Sequence, residues 1–428
     1  MQPRSKFFLI SAAVLLLPAL LLGSCSTAAS DAEEDAPGLT PSPATTTPVS
    51  QTQQSGSTAP SPLTITIWLP DDLILRNEDA LLALIQQQIA AYTESHPEVT
   101  IDLRLKAEAG SANMMDSLQS TSLAAPAALP DIVLMSRADM EVAALKGLLI
   151  PYDGVSDLLS ANDWIPSIKQ LATIQGSTFG MPVVSDALVY FVDKDEQHTQ
   201  NAFLVSKPLL AYINDPSAEL LMGLYLSAGG VLMDQEGGPV LESAPLAQAL
   251  KQVDSARKAG AFPAWMMDIA NQSDVYRYYQ AERGDRMIAW YSNIPTPARN
   301  AMAAQAVPGL SENAATLVDG WFWTMTQPQP EKRQATVDLV EVLTEENFLA
   351  QLAATSELIP VRLSPSVMED TNLNLVAEIA AAGQPIPDGL LLVTISPAMQ
   401  GSLQSLFGGS NQTIDEIARQ ASEKIQRP

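Results

Sequence analysis

Three apolar runs, separated by text of helical period, constrain the fold of this chain more tightly than any other feature in it. "LTITIWLP" (63–70) alternates and is β-branched, "VTIDLRLK" (99–106) repeats that pattern, and "PDIVLMS" (130–136) is the uniformly apolar run of a strand covered on both faces. After the first run, Leu81, Leu84, Ile85 and Ile89 recur at helical spacing behind Asn77, a residue able to cap. A polar helix is expected near 111–124, and "DMEVAALKG" (139–147) reads as a helix stopped by Gly147. Strands alternating with helices predict an α/β domain on a mostly parallel sheet.

"STFGMPVVSDALVYFVDKD" (177–195) is extended, but Pro182 has no N–H for a ladder, so this stretch is expected at a sheet edge or a crossover. Helices are expected over 216–230 and 241–260, each closed by glycine, and strands over 286–294 and 319–326. A helical stretch follows, broken near Thr344, and Thr413 and Glu416 stand three apart as a capping box for a final helix. The roughly 366 residues from 63 onward exceed one ordinary domain, so two lobes are expected.

Upstream the text changes character. A basic start and the apolar run "FFLISAAVLLLPALLLG" form the n- and h-regions of a signal peptide, assigned to 1–24. A spanning helix is the alternative, opposed by Pro18 and by the lack of a charged stop-transfer cluster. "LGSC" (22–25) resembles the bacterial lipobox and holds the chain's one cysteine, so Cys25 is the expected lipidation site. Disulfides then play no part in the mature protein. Residues 25–62 have no Lys, Arg or aromatic side chain and are dominated by Ser, Thr, Pro, Ala and Gln; they read as a lipidated, flexible tether.

The formal charge is −25, and loss of Arg4 and Lys6 with the leader makes it −27. Such a chain repels polyanions, which excludes nucleic acid as a partner and disfavours anionic ligands. The two histidines, His96 and His198, lie at no metal-ligand spacing, and no GxSxG, HExxH, P-loop or GxGxxG string occurs. No metal and no cofactor are expected.

A further signal lies in the order of the segments. "ITIWLPDD", "HPEVTIDL", "LPDIVLMSRADMEVAALKGLLIPYDG", "GMPVVSDALVYFVDKD", "LYLSAGG", "RGDRMIAWYSNI", "DGWFWTMT", "LIPVR" and "NQTIDEIARQASEKI" follow one another as in extracellular solute-binding proteins of ABC importers. The chain resembles the carbohydrate-binding branch of that family, the branch that includes maltose-binding protein. The resemblance implies a two-lobe, periplasmic-binding-protein-like α/β fold with a hinge and a ligand cleft. Residues 63–180 plus 315–358 would form one lobe and 181–314 plus 359–428 the other. It also implies ligand contacts from Asp72, from Arg137 and Asp139 as a charged pair, and from Asp186, one methylene shorter than the family's glutamate. Trp290 would be an aromatic platform and Trp265 would lie near the cleft mouth. Trp68, Trp321 and Trp323 are read as core and Trp164 as surface packing.

The implied function is a membrane-anchored, extracytoplasmic binding component that captures a small neutral ligand, a sugar above all, as a monomer. Its partners would be an ABC permease and the lipid bilayer through acylated Cys25, and it would perform no chemistry. Two departures stand out: the segment between Asp195 and Ala218 lacks the family's tryptophan, and Met135 and Ser136 stand where a tryptophan is usual. Two other readings compete, a surface-anchored glycan hydrolase working through a carboxylate pair and a binding-protein fold repurposed as a receptor or assembly partner.

Overall fold

The computed structural model describes residues 62–71, 73, 77–110, 113–194, 203 and 207–426. The leader, Cys25, most of the tether, Asp72 and His198 lie outside the described residues. The first elements are β1 (Leu63–Pro70), α1 (Glu78–Ser95), β2 (Val99–Lys106), α2 (Met114–Ala124), β3 (Ile132–Ser136) and α3 (Arg137–Leu145). Their order is the expected alternation, and β1 pairs in parallel with β2 on one side and β3 on the other. In α1, Leu81, Ile85 and Tyr92 are buried. Asn77 stands at the cap position, but its side chain turns away to donate to the Thr355 carbonyl at 3.1 Å. The cap that the sequence reading missed is Asn113, whose Oδ1 accepts from the Asp116 N–H at 2.8 Å and starts α2. Similarly, Ser136 Oγ accepts from the Asp139 N–H at 3.2 Å, so α3 begins at Arg137.

The chain continues through α4 (Pro166–Leu171), the hairpin β4 (Thr173–Ile174) and β5 (Ser177–Thr178), β6 (Gly180–Asp193), β7 (Leu209–Leu210), α5 (Glu219–Ser227), α6 (Ser243–Ala259), α7 (Gln272–Gln280), β8 (Arg286–Trp290), α8 (Thr296–Ala301) and β9 (Met302–Ala306). Then come β10 (Leu317–Met325), α9 (Arg333–Val342), α10 (Glu346–Ser356), α11 (Pro365–Glu369), α12 (Thr371–Ala382), β11 (Gln384–Pro385), α13 (Gly389–Phe407) and α14 (Ile414–Gln426). The break at Thr344 is real: its hydroxyl folds back onto the Val340 carbonyl at 2.7 Å between α9 and α10. The capping box also forms, with the Thr413 N–H donating to Glu416 Oε2 at 2.8 Å and the Glu416 N–H to Thr413 Oγ1 at 3.3 Å.

Strands run in the order β2-β1-β3-β10-β6-β8-β7, with β11 beside β10 and β9 beside β6. The expectation of a mostly parallel sheet needs correction. β10 is antiparallel to β3 and to β6, and β6 is antiparallel to β8 and β9, so the sheet is mixed. The long strand β6 serves two neighbourhoods. Gly180 to Ala187 pair with β10, and Leu188 to Asp193 pair with β8 and β9. Pro182 lies in the first half, opposite Phe322 and next to a register shift, where β6 is the last strand of the β2-β1-β3-β10 group. β6 is thus an interior strand of the whole sheet, not an edge; the crossover alternative is the one seen, and the register shift accommodates the missing N–H of this proline.

Trp68 and Trp323 are buried as expected, but Trp321, on the same strand as Trp323, is only half-buried. Trp164 is a correction: it is 3% exposed rather than superficial. Its Nε1–H donates to the nearby Leu158 carbonyl at 3.0 Å, and the guanidinium of Arg362, far along the chain, covers its ring. His96 stacks on Tyr92 and bonds the Tyr92 carbonyl, a structural role. The apolar helix α13 packs on α5, α6 and α14.

Candidate functional site

Where β6 changes partners, polar side chains from several elements meet. Asp186 lies one residue before Ala187, the last position that pairs with β10, and its partner in register is Asp319. Asp186 is buried, and its Oδ1 accepts from the Ala187 N–H at 2.9 Å and the Ser292 N–H at 3.1 Å. It thereby ties β6 to the turn after β8. Asp319 accepts from the Gly320 N–H at 2.7 Å. Burial pushes its carboxyl up to about 6, reinforced by the Asp186 carboxylate and opposed by Arg137. Its surface is nonetheless partly open to solvent, as is that of Glu219. Dense protein surroundings combined with residual access describe the wall of a crevice.

Glu219 opens α5 and faces Trp290 at the end of β8. Its Oε2 accepts the indole N–H at 2.8 Å and the Gln272 amide at 3.0 Å. Burial, then the neighbouring Asp215, push its carboxyl up to about 7, while those two hydrogen bonds act in the opposite direction. Trp290 itself is 9% exposed.

Arg137 is 4% exposed and extends from the carboxyl end of the parallel strand β3, the position where open α/β sheets place ligands. It donates to Glu141 Oε2 at 3.1 Å and pairs with Asp388, 251 residues away and just before α13. Glu141 Oε2 also accepts from the Gly389 N–H at 2.8 Å, so two bonds join α3 to the start of α13. Arg137 Nε is buried without a partner, and so is the Gln272 amide oxygen. Each is a polar atom that a ligand could satisfy at little desolvation cost.

Of the residues expected to form the site, the structure brings Arg137, Asp186 and Trp290 into one neighbourhood, linked through Asp319 and Glu219. Asp139 does not pair with Arg137; its N–H and carboxyl both engage Ser136, its own helix cap. Trp265 stacks on Tyr278 with centroids 5.5 Å apart, and the Arg283 guanidinium lies 4.5 Å from its ring. Asp72 falls outside the described residues. Sequence reasoning missed Asp319, Glu219, Gln272, Glu141 and Asp388. The Asp-Gly step at the head of "DGWFWTMT" was the one available signal for Asp319; Glu219 was absorbed into the helical text "SAELL".

Open cavities of about 520 Å³, beside Lys194, Tyr291 and Arg299, and about 570 Å³, beside Lys207, Tyr279 and Asp285, have none of Arg137, Asp186, Glu219, Gln272, Trp290 and Asp319 in their linings, although Tyr291, on the first, lies near enough to Asp186 to feel its charge. Volume alone does not mark a binding site; convergent, perturbed and unpartnered polar groups do so better. Among the described residues no three His, Cys, Asp or Glu side chains come together to hold a metal.

A search of curated protein sequences finds no match. Among solved structures, a cyclo/maltodextrin-binding protein complexed with maltotetraose is similar at a TM-score of 0.68 and 16% identity, over 86% of this chain and 98% of that one. The maltose-binding periplasmic protein of Listeria monocytogenes, complexed with maltose, gives 0.67 and 16%, over 85% and 97%. A sugar-binding protein from Xanthomonas citri gives 0.65 and 17%, over 85% and 96%. These likenesses identify the fold as the two-lobe, periplasmic-binding-protein type. The profile of a family described as bacterial extracellular solute-binding protein matches residues 87–371, about two thirds of the chain. Members of that family bind solutes and are not enzymes, and they work outside the cytoplasm. On that match, the chain belongs to the bacterial extracellular solute-binding protein family.

Proposed function

We propose that this protein is the solute-capturing subunit of an ABC importer and that its ligand is a small neutral polar molecule of the carbohydrate class. Two lobes, 63–180 plus 315–358 and 181–314 plus 359–428, close over the ligand by bending where β6 and β10 pass between them. The protein works as a monomer, held at the membrane by acylated Cys25 on the 25–62 tether, and the closed form presents itself to the permease.

The observation that carries this reading is the convergence of Trp290, Glu219, Gln272, Asp319, Asp186 and Arg137 at the point where β6 changes partners. Carboxyl, amide and guanidinium groups suit hydroxyls, and an indole face suits the C–H side of a sugar ring. A charge of −25 weighs against an anionic ligand. The structural neighbours described as bound to maltose or maltotetraose support the ligand class by analogy.

The test is a thermal-shift screen against mono- and oligosaccharides, polyols and amino acids, followed by titration calorimetry. A ligand present at about a hundred times its Kd adds about 2.7 kcal/mol of stability. Trp290→Ala is expected to cost about 1 to 3 kcal/mol of binding, a weakening of roughly 5- to 150-fold. Silence across the panel from folded protein would favour the receptor reading, which the prior commitment of both Arg137 end nitrogens to Glu141 and Asp388 also supports.

A further inference from the structure

Three elements meet on one carboxyl oxygen. The Trp290 indole N–H, from the end of β8, and the Gln272 amide, from the first residue of α7, both donate to Glu219 Oε2, at 2.8 and 3.0 Å. Glu219 is itself held at the backbone: its N–H donates to Asp215 Oδ2 at 2.9 Å, while Asp215 Oδ1 accepts from the Ser217 N–H at 3.0 Å. Ala218, just before it, is in the left-handed region at φ 54, so the chain bends sharply to bring this carboxyl to the crevice. Gln272 is set by the neighbouring Asn271 cap, whose Oδ1 accepts from the Asp274 N–H at 3.0 Å.

The groups facing Glu219 are Asp215 from the segment before α5, Tyr212 from the same segment, Gln272, Trp290, and Asp319 from β10. Both charged groups among them are carboxylates, and Asp274 adds a third negative charge near Tyr212. The buried, unpartnered oxygen of Gln272 lies on the amide that touches Glu219. With that amide turned over, a protonated Glu219 would donate to the oxygen while still accepting the indole N–H.

We propose that Glu219 is a positioning residue for ligand capture: it fixes the plane of Trp290 and the amide of Gln272, and it couples that geometry to pH by carrying a proton when the cleft is closed. The inference rests on the reading of Trp290 as a ligand platform. Glu219 need not touch the ligand, because it acts through the two side chains it holds. Covering the site with a neutral ligand strips the remaining water from Glu219 and leaves Asp215 and Asp319 in place, which disfavours the ionised form further. Binding therefore takes up a proton, and affinity falls as pH rises through the neutral range. Burial and Asp215 already hold this carboxyl near neutrality in the ligand-free state.

Two measurements test this, and the first needs no ligand. Indole emission of the ligand-free protein is titrated from pH 5 to 9 for wild type, Glu219→Gln and Trp290→Phe. A transition with its midpoint between about pH 6 and 8 is expected in the wild type and absent from both variants. A wild-type signal that is flat, or one that persists in Glu219→Gln, overturns the proposal. The second is calorimetry with maltotriose as probe, at pH 6.0 to 8.5 in buffers of different ionisation enthalpy. The wild type should take up a proton and weaken by up to about tenfold per unit of pKa change on binding, whereas Glu219→Gln should show a flat profile. PH-independent maltotriose affinity in the wild type overturns the coupling. If maltotriose does not bind, the sugar reading fails there, and the ligand-free titration still decides the role of Glu219.

Discussion

Arg137→Met tests how α3 is fastened to the start of α13. The Arg137 side chain is 5% exposed and that of Glu141 is 9% exposed, while Asp388 is 50% exposed. Replacing the cation with an apolar chain of similar length leaves the Glu141 carboxylate buried, holding the Gly389 N–H at 2.8 Å without its positive partner. Stranding one member of a buried pair costs about 3 to 5 kcal/mol. The share of Asp388, half in water, is at most about 1 kcal/mol. With the methylenes still packed, a net loss of about 3 to 4 kcal/mol is expected for the single variant.

Adding Glu141→Met removes the stranded charge, so the double variant should recover much of that loss, with a coupling energy of about 2 kcal/mol. The assay is urea unfolding followed by both tryptophan emission and far-UV circular dichroism; coincident transitions license the free-energy comparison. The reasoning is refuted by a single-variant loss under about 1 kcal/mol, or by a double variant whose loss equals the sum of the two singles.

Two other predictions concern the same crevice and its support. The carboxyls of Glu219 and Asp319 are raised in the folded protein, to about 7 and about 6, so the folded state holds their protons more tightly than the unfolded chain. Their contribution is complete below about pH 4 and is lost progressively as pH rises from there through the folded values of about 6 and about 7, a fall of up to about 3 kcal/mol for Glu219. Urea midpoints measured from pH 4 to 8 should show it, and Glu219→Gln with Asp319→Asn should flatten that slope; an unchanged slope in the double variant would assign it elsewhere. Gly223, in α5, lies where an added Cβ would sit 2.1 Å from the Ala315 carbonyl oxygen, so Gly223→Ala should destabilise by about 1 to 3 kcal/mol despite the better helix propensity of alanine. An equal or higher urea midpoint would show that the helix can shift to make room.

What local sequence encodes, the sequence settled. The strand–helix alternation from residue 63, the break at Thr344 and the Thr413–Glu416 capping box all depend on neighbours within a few residues. Periodicity and capping are short-range, and they were legible for that reason. Family resemblance pointed to Arg137, Asp186 and Trp290 because they lie in the ordered segments on which that resemblance rests.

The rest was decided by tertiary structure. Asp319 and Glu219 are two among 48 acidic residues, and nothing local distinguishes them. Only the β6–β10 pairing sets Asp319 beside Asp186, and only the packing of α5 against β8 and α7 gives Glu219 the Trp290 and Gln272 donors. Trp164 read as superficial because its cover, Arg362, lies 198 positions further on. The pair of Arg137 with Asp388 spans 251 residues, which no pattern within a window can register. Burial and charge proximity are properties of the closed-up chain. In this protein they convert ordinary carboxyls into proton-holding groups in the crevice.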